Sequence, residues 1–380
     1  MKIVFISASA EPGRDGVGDY TRRLAAACAE RGHRCLILAL NDRHVNASST
    51  ELHGESRTIC RWSSTLPWWV RIAAAKDRIN RFEPDWISWQ MVTYGYQPKG
   101  ILGPELMQLA RELRAPRMHV MLHEIWIGLA RGDSLWARFT GWRQRRALLR
   151  FLRLVAPDQL NTSNQTYVTA LEQCGFNASV LPLFSNIPIA SAARSECEKL
   201  LARYLPPMTS GRERLVGITF GTLHRQWQPD PAAQLLKSTA RRQNREPVLL
   251  AIGRIGPHGT AILEQIKSSG IAVAVTGELP VEEVSCLMQA ADLGIAPHPK
   301  ALIRKSGVVA AMLDHGLPVL MPRDDWHLRH GPTPDGARDP RLVRLADLSE
   351  TSTDAWLKHR QSPGDSFPNT VTRFLEELSQ

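Results

Sequence analysis

Short apolar runs, each closed by glycine, proline or a polar cluster, alternate along this chain with stretches whose apolar positions recur at helical spacing. Lys2–Ser7 (KIVFIS) reads as a buried strand and Ser9–Asp19 (SAEPGRDGVGD) as a glycine-rich loop. Tyr20–Arg31 reads as a helix with Leu24, Ala25, Cys28 and Ala29 on one side. Gly32 stops it, and Cys35–Leu40 (CLILAL) is the next strand. Strand, helix and strand in this order make a βαβ unit and hence a parallel sheet. The pattern continues with a helix over Trp68–Phe82 and strands at Trp86–Trp89, within Ala115–Leu122 and at Gln159–Thr162. A helix over Asn164–Gln173 and a strand at Val180–Leu183 follow. Phe184–Ala190 (FSNIPIA) reads as a linker, and 191–213 as a charged helix and loop. The rhythm then restarts, with strands at Leu215–Phe220, Val248–Ile252, Ile271–Val275, Leu293–Ala296 and Leu317–Met321. Asn369–Ser379 reads as an amphipathic helix. The expectation is an α/β chain of two Rossmann-like domains, 1–185 and 186–360. The helical segment 361–380 would pack back on the first domain.

The richest stretch is Ala291–Leu320, ADLGIAPHPKALIRKSGVVAAMLDHGLPVL. Pro297 and Pro299 end a strand, and a polar loop carries Lys300, Arg304 and Lys305. Ser306 is placed to cap a helix over Gly307–His315, which Gly316 closes. Free amides, the positive end of a helix dipole and side-chain cations would meet there, which suits a diphosphate. The plainer alternative is a crossover whose basic residues are merely solvated. The first three strands of the second half end in glycine plus a polar or basic residue, which sets Gly221, Arg254 and Gly277 on one rim with the Ser306 helix.

The chain holds 380 residues, 43% hydrophobic and 22% charged, as globular proteins do. No apolar run nears the roughly 20 residues that span a bilayer. MKIVFISASAEPG has too short an apolar part for a signal peptide and reads as a first strand. The six cysteines are scattered without a CxxC, as expected for reduced thiols in a cytoplasmic protein. A net charge of +10 favours acidic partners without choosing among them. Residues 134–157 concentrate that charge, with six arginines, no acid, and Leu135, Phe139, Trp142, Leu149 and Leu152 near helical spacing. Such a helix suits peripheral contact with an anionic membrane at its inner face, and Trp68, Trp69 and Arg71 would add to it; a helix packed on its own sheet is the alternative.

Other motifs narrow the chemistry. Gly13, Gly16 and Gly18 run G-x-x-G-x-G, the reverse of a dinucleotide fingerprint, so Asp42 makes a poor ribose acid. Gly16 and Gly18 would instead let the backbone approach a ligand. His123 and Glu124 follow a strand, at the sheet end where such folds bind ligands; a loop-packing histidine is the alternative. Asp324 and Asp325 are adjacent, which points their side chains apart, and they read as a surface turn, not a metal pair.

Several segments together resemble the GT-B glycosyltransferases, and glycosyltransferase family 4 among them, over nearly the whole chain. They are GVGDYTRRLAAACAERGHR (16–34), PLFSNIP (182–188), TFGTL (219–223), LLAIGRIGP (249–257), VTGELPVEEVSCLMQAADLGIAP (275–297) and AAMLDHGLPVL (310–320). The resemblance implies two domains facing across a cleft and a retaining, metal-independent sugar transfer from a nucleotide-diphosphate donor. The acceptor would be a glycan, a lipid or a small molecule; no cofactor and no specific nucleic acid are expected. It places Gly16 and Gly18 by the donor phosphates and sugar, and His123 near the sugar. Gly277, Glu278 and Leu279 would lie by the nucleobase, and Ser306, Gly307 and Val308 around the diphosphate. The family's two glutamates would fall at Ile303 and Ala311, and its Arg and Lys near Thr222 and Trp227. Arg225, Arg254, Arg304 and Lys305 are the cations left to meet phosphate charge. Were the reaction inverting, Asp19, His123 or Glu124 would be the base. A catalytically altered GT-B protein that binds nucleotide, membrane or nucleic acid, or a nucleotide-sugar epimerase, is the alternative.

Overall fold

The computed structural model describes residues 1–207, 211–334 and 339–380 and divides the chain into two units. Unit 1 comprises Met1–Pro182, Leu328–Pro334 and Pro368–Gln380. Unit 2 comprises Leu183–His327 and the segment that runs on to Phe367.

Unit 1 opens with β1 (Lys2–Ser7), α1 (Gly16–Glu30) and β2 (Arg34–Asp42). A hairpin of β3 (Ser49–His53) and β4 (Arg57–Ser63) follows, then α2 (Trp68–Phe82), β5 (Trp86–Met91), α3 (Thr93–Tyr96) and α4 (Pro104–Glu112). β6 (Arg117–Leu122), α5 (Leu135–Val155), β7 (Gln159–Thr162), α6 (Gln165–Glu172) and β8 (Ser179–Val180) complete the run. The sheet order is β3-β4-β2-β1-β5-β6-β7-β8, and only β3 pairs antiparallel. Fully buried Ile3, Phe5, Ile37, Leu38, Ile87 and Val120 make its strands apolar on both faces, as a covered parallel sheet requires.

Unit 2 holds α7 (Arg194–Tyr204), β9 (Arg214–Phe220), α8 (Asp230–Arg242), β10 (Glu246–Ile252), α9 (Gly259–Ser268), β11 (Ala272–Gly277) and α10 (Val281–Ala290). After these come β12 (Leu293–Ile295), α11 (Gly307–Asp314), β13 (Val319–Met321), β14 (Leu342–Arg344) and α12 (Glu350–Leu357). Its strands order β11-β10-β9-β12-β13-β14 in a parallel sheet, the 3-2-1-4-5-6 arrangement of a doubly wound nucleotide-binding fold. The last helix, α13 (Phe367–Ser379), lies in unit 1 from Pro368 onward. Phe374 meets Phe5 at 5.9 Å and His119 at 5.4 Å between ring centroids, and Arg31 donates to the Pro368 carbonyl.

Three local expectations are corrected. α1 begins at Gly16, four residues early, because the Asp15 carboxylate accepts from Val17 and Gly18 amides and caps it. On α5, Leu149 and Leu152 face the core, whereas Leu135, Trp136, Phe139 and Trp142 are 80%, 69%, 60% and 46% exposed. The apolar positions therefore occupy two faces, and the outer one has no cover within the unit. Arg71 is no surface cation: it is buried, stacks on Trp68 at 3.6 Å and donates to Asn41 and the Leu40 carbonyl.

Candidate functional site

In a doubly wound sheet, ligands bind beyond the carboxyl ends of the strands where the order reverses. In unit 2 that point lies between β9 and β12. β9 leads into Gly221, whose φ of +77° favours glycine; a Cβ there would lie only 3.9 Å from Val308 Cγ2. The first strand's end is thus set against the first turn of α11. Ser306 caps that helix, its hydroxyl accepting from the Val309 amide at 3.4 Å. The Gly307 and Val308 amides have no acceptor within the helix. The basic loop before it is a 3-10 turn over Lys300–Lys305, which buries Ile303 and leaves Arg304 exposed.

A cationic cluster joins this turn. Arg323, 6% exposed just after β13, donates to His224 Nδ1 at 3.0 Å and to Gln226 Oε1 at 2.8 Å, and pairs with Asp325 at 2.8 Å. His224 Nδ1 also accepts from the Gln226 amide, so its ring proton sits on Nε2. Burial, then Arg323 and Arg225, lower the His224 pKa. Burial, then Lys305, His224 and Arg323, push His298 down to about 4. Its Nδ1 is buried without a hydrogen-bond partner among the described residues. Loss of solvation is the larger cause for both imidazoles and the neighbouring cations add to it; those cations also favour an anion.

Other expected residues fall differently. Arg254 pairs with Glu278 at 3.2 Å, both exposed, beside Gly277 (φ +70°). Leu279 and Val308 pack partly against the hydrophobic core, and Arg225 is exposed. Thr222 is exposed, whereas Trp227 belongs to the core. Ile303 and Ala311 are both fully buried in that unit's apolar cluster, where a carboxylate would be stranded. His298 and Arg323 went unnoticed in the sequence. Arg323 has no local motif, and its partner His224 lies 99 positions away.

Unit 1 has its own reversal, between β1 and β5. Asp42 is fully buried, accepts from the Ala10 and His44 amides and pairs with Arg61 at 2.8 Å, which rules it out as a ribose acid. Arg61 also holds Glu11 and Glu51, and so ties down the loop after β1. Gly16 and Gly18 are helical rather than loop residues. A Cβ on Gly18 would meet the Ser9 carbonyl at 2.8 Å, so close packing of helix on loop demands this glycine. Asp19 accepts from the Gly13 amide at 2.9 Å, and burial raises its pKa.

His123 is 6% exposed, meets Tyr20 edge-on at 4.8 Å, and is followed by half-buried Glu124. Its Nε2 lies 2.9 Å from Gln90 Oε1. Gln90 Nε2 donates to Ser88 Oγ (2.8 Å), which contacts His119 Nδ1 (2.7 Å); His119 Nε2 contacts Asn161 Oδ1 (2.9 Å). Asn161 Nδ2 donates to Glu377 Oε2 on α13 at 2.8 Å. Burial lowers His119 to about 4 and, with His119 beside it, His123 to about 3. Among the described residues no group of three or more His, Cys, Asp or Glu is arranged to hold a metal ion.

No family model and no curated protein matches the chain. Solved structures do. HepE from Anabaena in complex with UDP-glucose matches with a TM-score of 0.58 at 15% identity, over 100% of this chain and 99% of that one. The catalytic domain of starch synthase IV from Arabidopsis thaliana, bound to ADP and acarbose, gives 0.57 at 14%, over 100% and 99%. WaaG, a glycosyltransferase involved in lipopolysaccharide biosynthesis, gives 0.55 at 14%, over 99% and 92%. Similarity over full lengths at such low identity establishes architecture: the chain has the GT-B fold.

Proposed function

We propose that this protein transfers a sugar from a nucleotide-diphosphate donor, whose diphosphate is held in unit 2 at the reversal between β9 and β12. The observation that carries this reading is the convergence of Arg323, His224 and the Ser306-capped turn of α11 at that point. The neighbours' bound UDP-glucose and ADP lend support. Departure of a nucleotide diphosphate needs its charge stabilised; Arg323, Lys305 and the Gly307 and Val308 amides are suited to that without a metal. The retaining course fits best. It needs no protein base, because the leaving phosphate takes the acceptor's proton. A histidine at about 3 would be a poor base at neutral pH, and His123 is better suited to orienting a hydroxyl.

The apolar surroundings of Ile303 and Ala311 favour one alternative, a catalytically altered protein that still binds nucleotide. One screen separates the readings: melting temperature and turnover with UDP-, GDP-, ADP- and dTDP-sugars, with and without EDTA. Ligand at a hundredfold its Kd stabilises by about 2.7 kcal/mol, or about 5–10 °C for a domain of this size. We expect such a rise with one nucleotide class, indifferent to EDTA and lost in Lys305→Ala, with sugar transfer to an acceptor. A shift without turnover would leave a binding protein, free epimerised sugar an epimerase. No shift with any nucleotide would sink the donor site.

The outer face of α5 supports an acceptor at an anionic membrane. Its exposed Leu135, Trp136, Phe139 and Trp142 are followed by exposed Arg143, Arg145, Arg146, Arg150 and Arg153. Aromatics that seat at the headgroup level beside cations are the pattern of a helix lying in the interface plane. Among the described residues no helix is long and apolar enough to cross a membrane, so the contact would be peripheral. Flotation with phosphatidylcholine vesicles, with and without phosphatidylglycerol, checks this. Binding should require the anionic lipid, weaken with salt, and fall at least tenfold in the Trp136→Ser/Phe139→Ser double variant. Equal binding by variant and wild type would refute it.

A further inference from the structure

Glu377 and His123 stand at opposite ends of a buried polar chain that crosses β5, β6 and β7 in unit 1. Ser88, His119 and Asn161 are fully buried and Gln90 is 1% exposed, so no member of the interior can turn to solvent for a partner. In such a chain each group's orientation dictates the next. Glu377 sets the direction. It is a carboxylate paired with Arg373 at 2.9 Å, and a carboxylate only accepts. Asn161 turns its amide nitrogen to Glu377, and also to the Ser179 hydroxyl at 2.8 Å and carbonyl at 3.5 Å, which leaves its oxygen facing His119. His119 must then donate from Nε2, so its Nδ1 accepts and Ser88 donates to it. The Ser88 lone pair faces the Gln90 nitrogen, and the Gln90 oxygen faces His123. His123 is left one role on that side, donation from Nε2.

We propose that Glu377 is a positioning residue that, through this chain, holds neutral His123 as its Nε2–H tautomer. Nδ1 is thereby kept as the ring's lone-pair acceptor for a hydroxyl of the bound ligand. The ligand's identity rests on the transferase reading; the tautomer does not. A neutral amide at 377 could donate as well as accept, which leaves the Ser179 carbonyl, at 3.5 Å, as the one obligate acceptor holding Asn161; the chain could then reverse in part of the molecules and move the His123 proton to Nδ1.

Nitrogen NMR of protein carrying ¹⁵N-labelled histidine reads this directly, with the two rings assigned from His119→Asn and His123→Asn spectra. In the wild type, Nε2 of both rings should resonate as protonated and Nδ1 as unprotonated. In Glu377→Gln both rings should shift toward a mixture. In Ser88→Ala, which cuts the chain midway, His119 should keep its tautomer and His123 should lose it; this variant serves even if the first folds poorly. An unchanged His123 signal in both folded variants would overturn the proposal. With a donor sugar identified, Glu377→Gln should also lower kcat about tenfold with little change in KM. If the tautomers respond as expected but wild-type protein turns over no nucleotide-sugar, the transferase reading fails and the positioning role of Glu377 stands.

Discussion

At the scale of single residues, six histidines, from fully buried His119 to exposed His224, make stability depend on pH. His33, His119, His123, His224, His298 and His315 all have lowered pKa values, with burial as the largest cause of each. The unfolded chain therefore takes up these protons first. Their contribution is complete above about pH 6.5 and is lost as the pH falls toward the folded values, at about 1.4 kcal/mol per unit for each well-buried ring. Asp19 and Asp314 oppose this, since burial raises both, Asp314 to about 6. Six groups against two give a net loss. Melting temperature should drop between pH 6.5 and 4.5, with a shallower slope in His119→Asn; a rise on acidification would contradict it. Residue by residue, what sequence could disclose depended on locality. Ser306 could be read as a cap because its helix follows at once. Asp15 caps α1 just as locally, but the glycines beside it drew the reading toward a loop. Arg323 and His224 could not be paired, because only the sheet brings them together.

Elements were legible where their pattern was strong. Buried strands such as β1, β2, β9 and β10 show as continuous apolar runs. The β3–β4 hairpin was missed because edge strand β3 has no buried position to mark it and polar residues interrupt the apolar ones of β4, whereas β11 was read despite having no fully buried residue. On α5, spacing alone could not separate two apolar faces. The terminal helix α13 illustrates what an element contributes. Val371, Phe374 and Leu378 are essentially buried. Loss of a buried phenylalanine alone costs about 3–5 kcal/mol. Deletion of residues 368–380 should abolish or strongly lower the unfolding transition of unit 1 and leave that of unit 2 in place. Calorimetry would resolve the two, and an unchanged unit 1 transition would show the helix to be dispensable.

For the molecule as a whole, the alternation of strands and helices announced two doubly wound units, and both have the reversal that makes such sheets bind ligands. The site within each was less legible, because its charges come from segments distant in sequence. The net charge of +10 is likewise not spread evenly, since α5 presents five exposed arginines in its C-terminal two-thirds. One feature of the chain's path also governs its birth. Met1 and Gln380 belong to the same unit, which takes back Pro368–Gln380 after unit 2 has been completed. A ribosome emits residues in order, at about 5–20 per second. Residues 1–182 must therefore wait, with Phe5 and His119 lacking the ring of Phe374, until residues 368–380 have emerged. Unit 2 can close while its elder neighbour is still unfinished. A stalled or prematurely terminated message would yield a half-mature protein whose exposed sheet face is a natural target for chaperones and proteases.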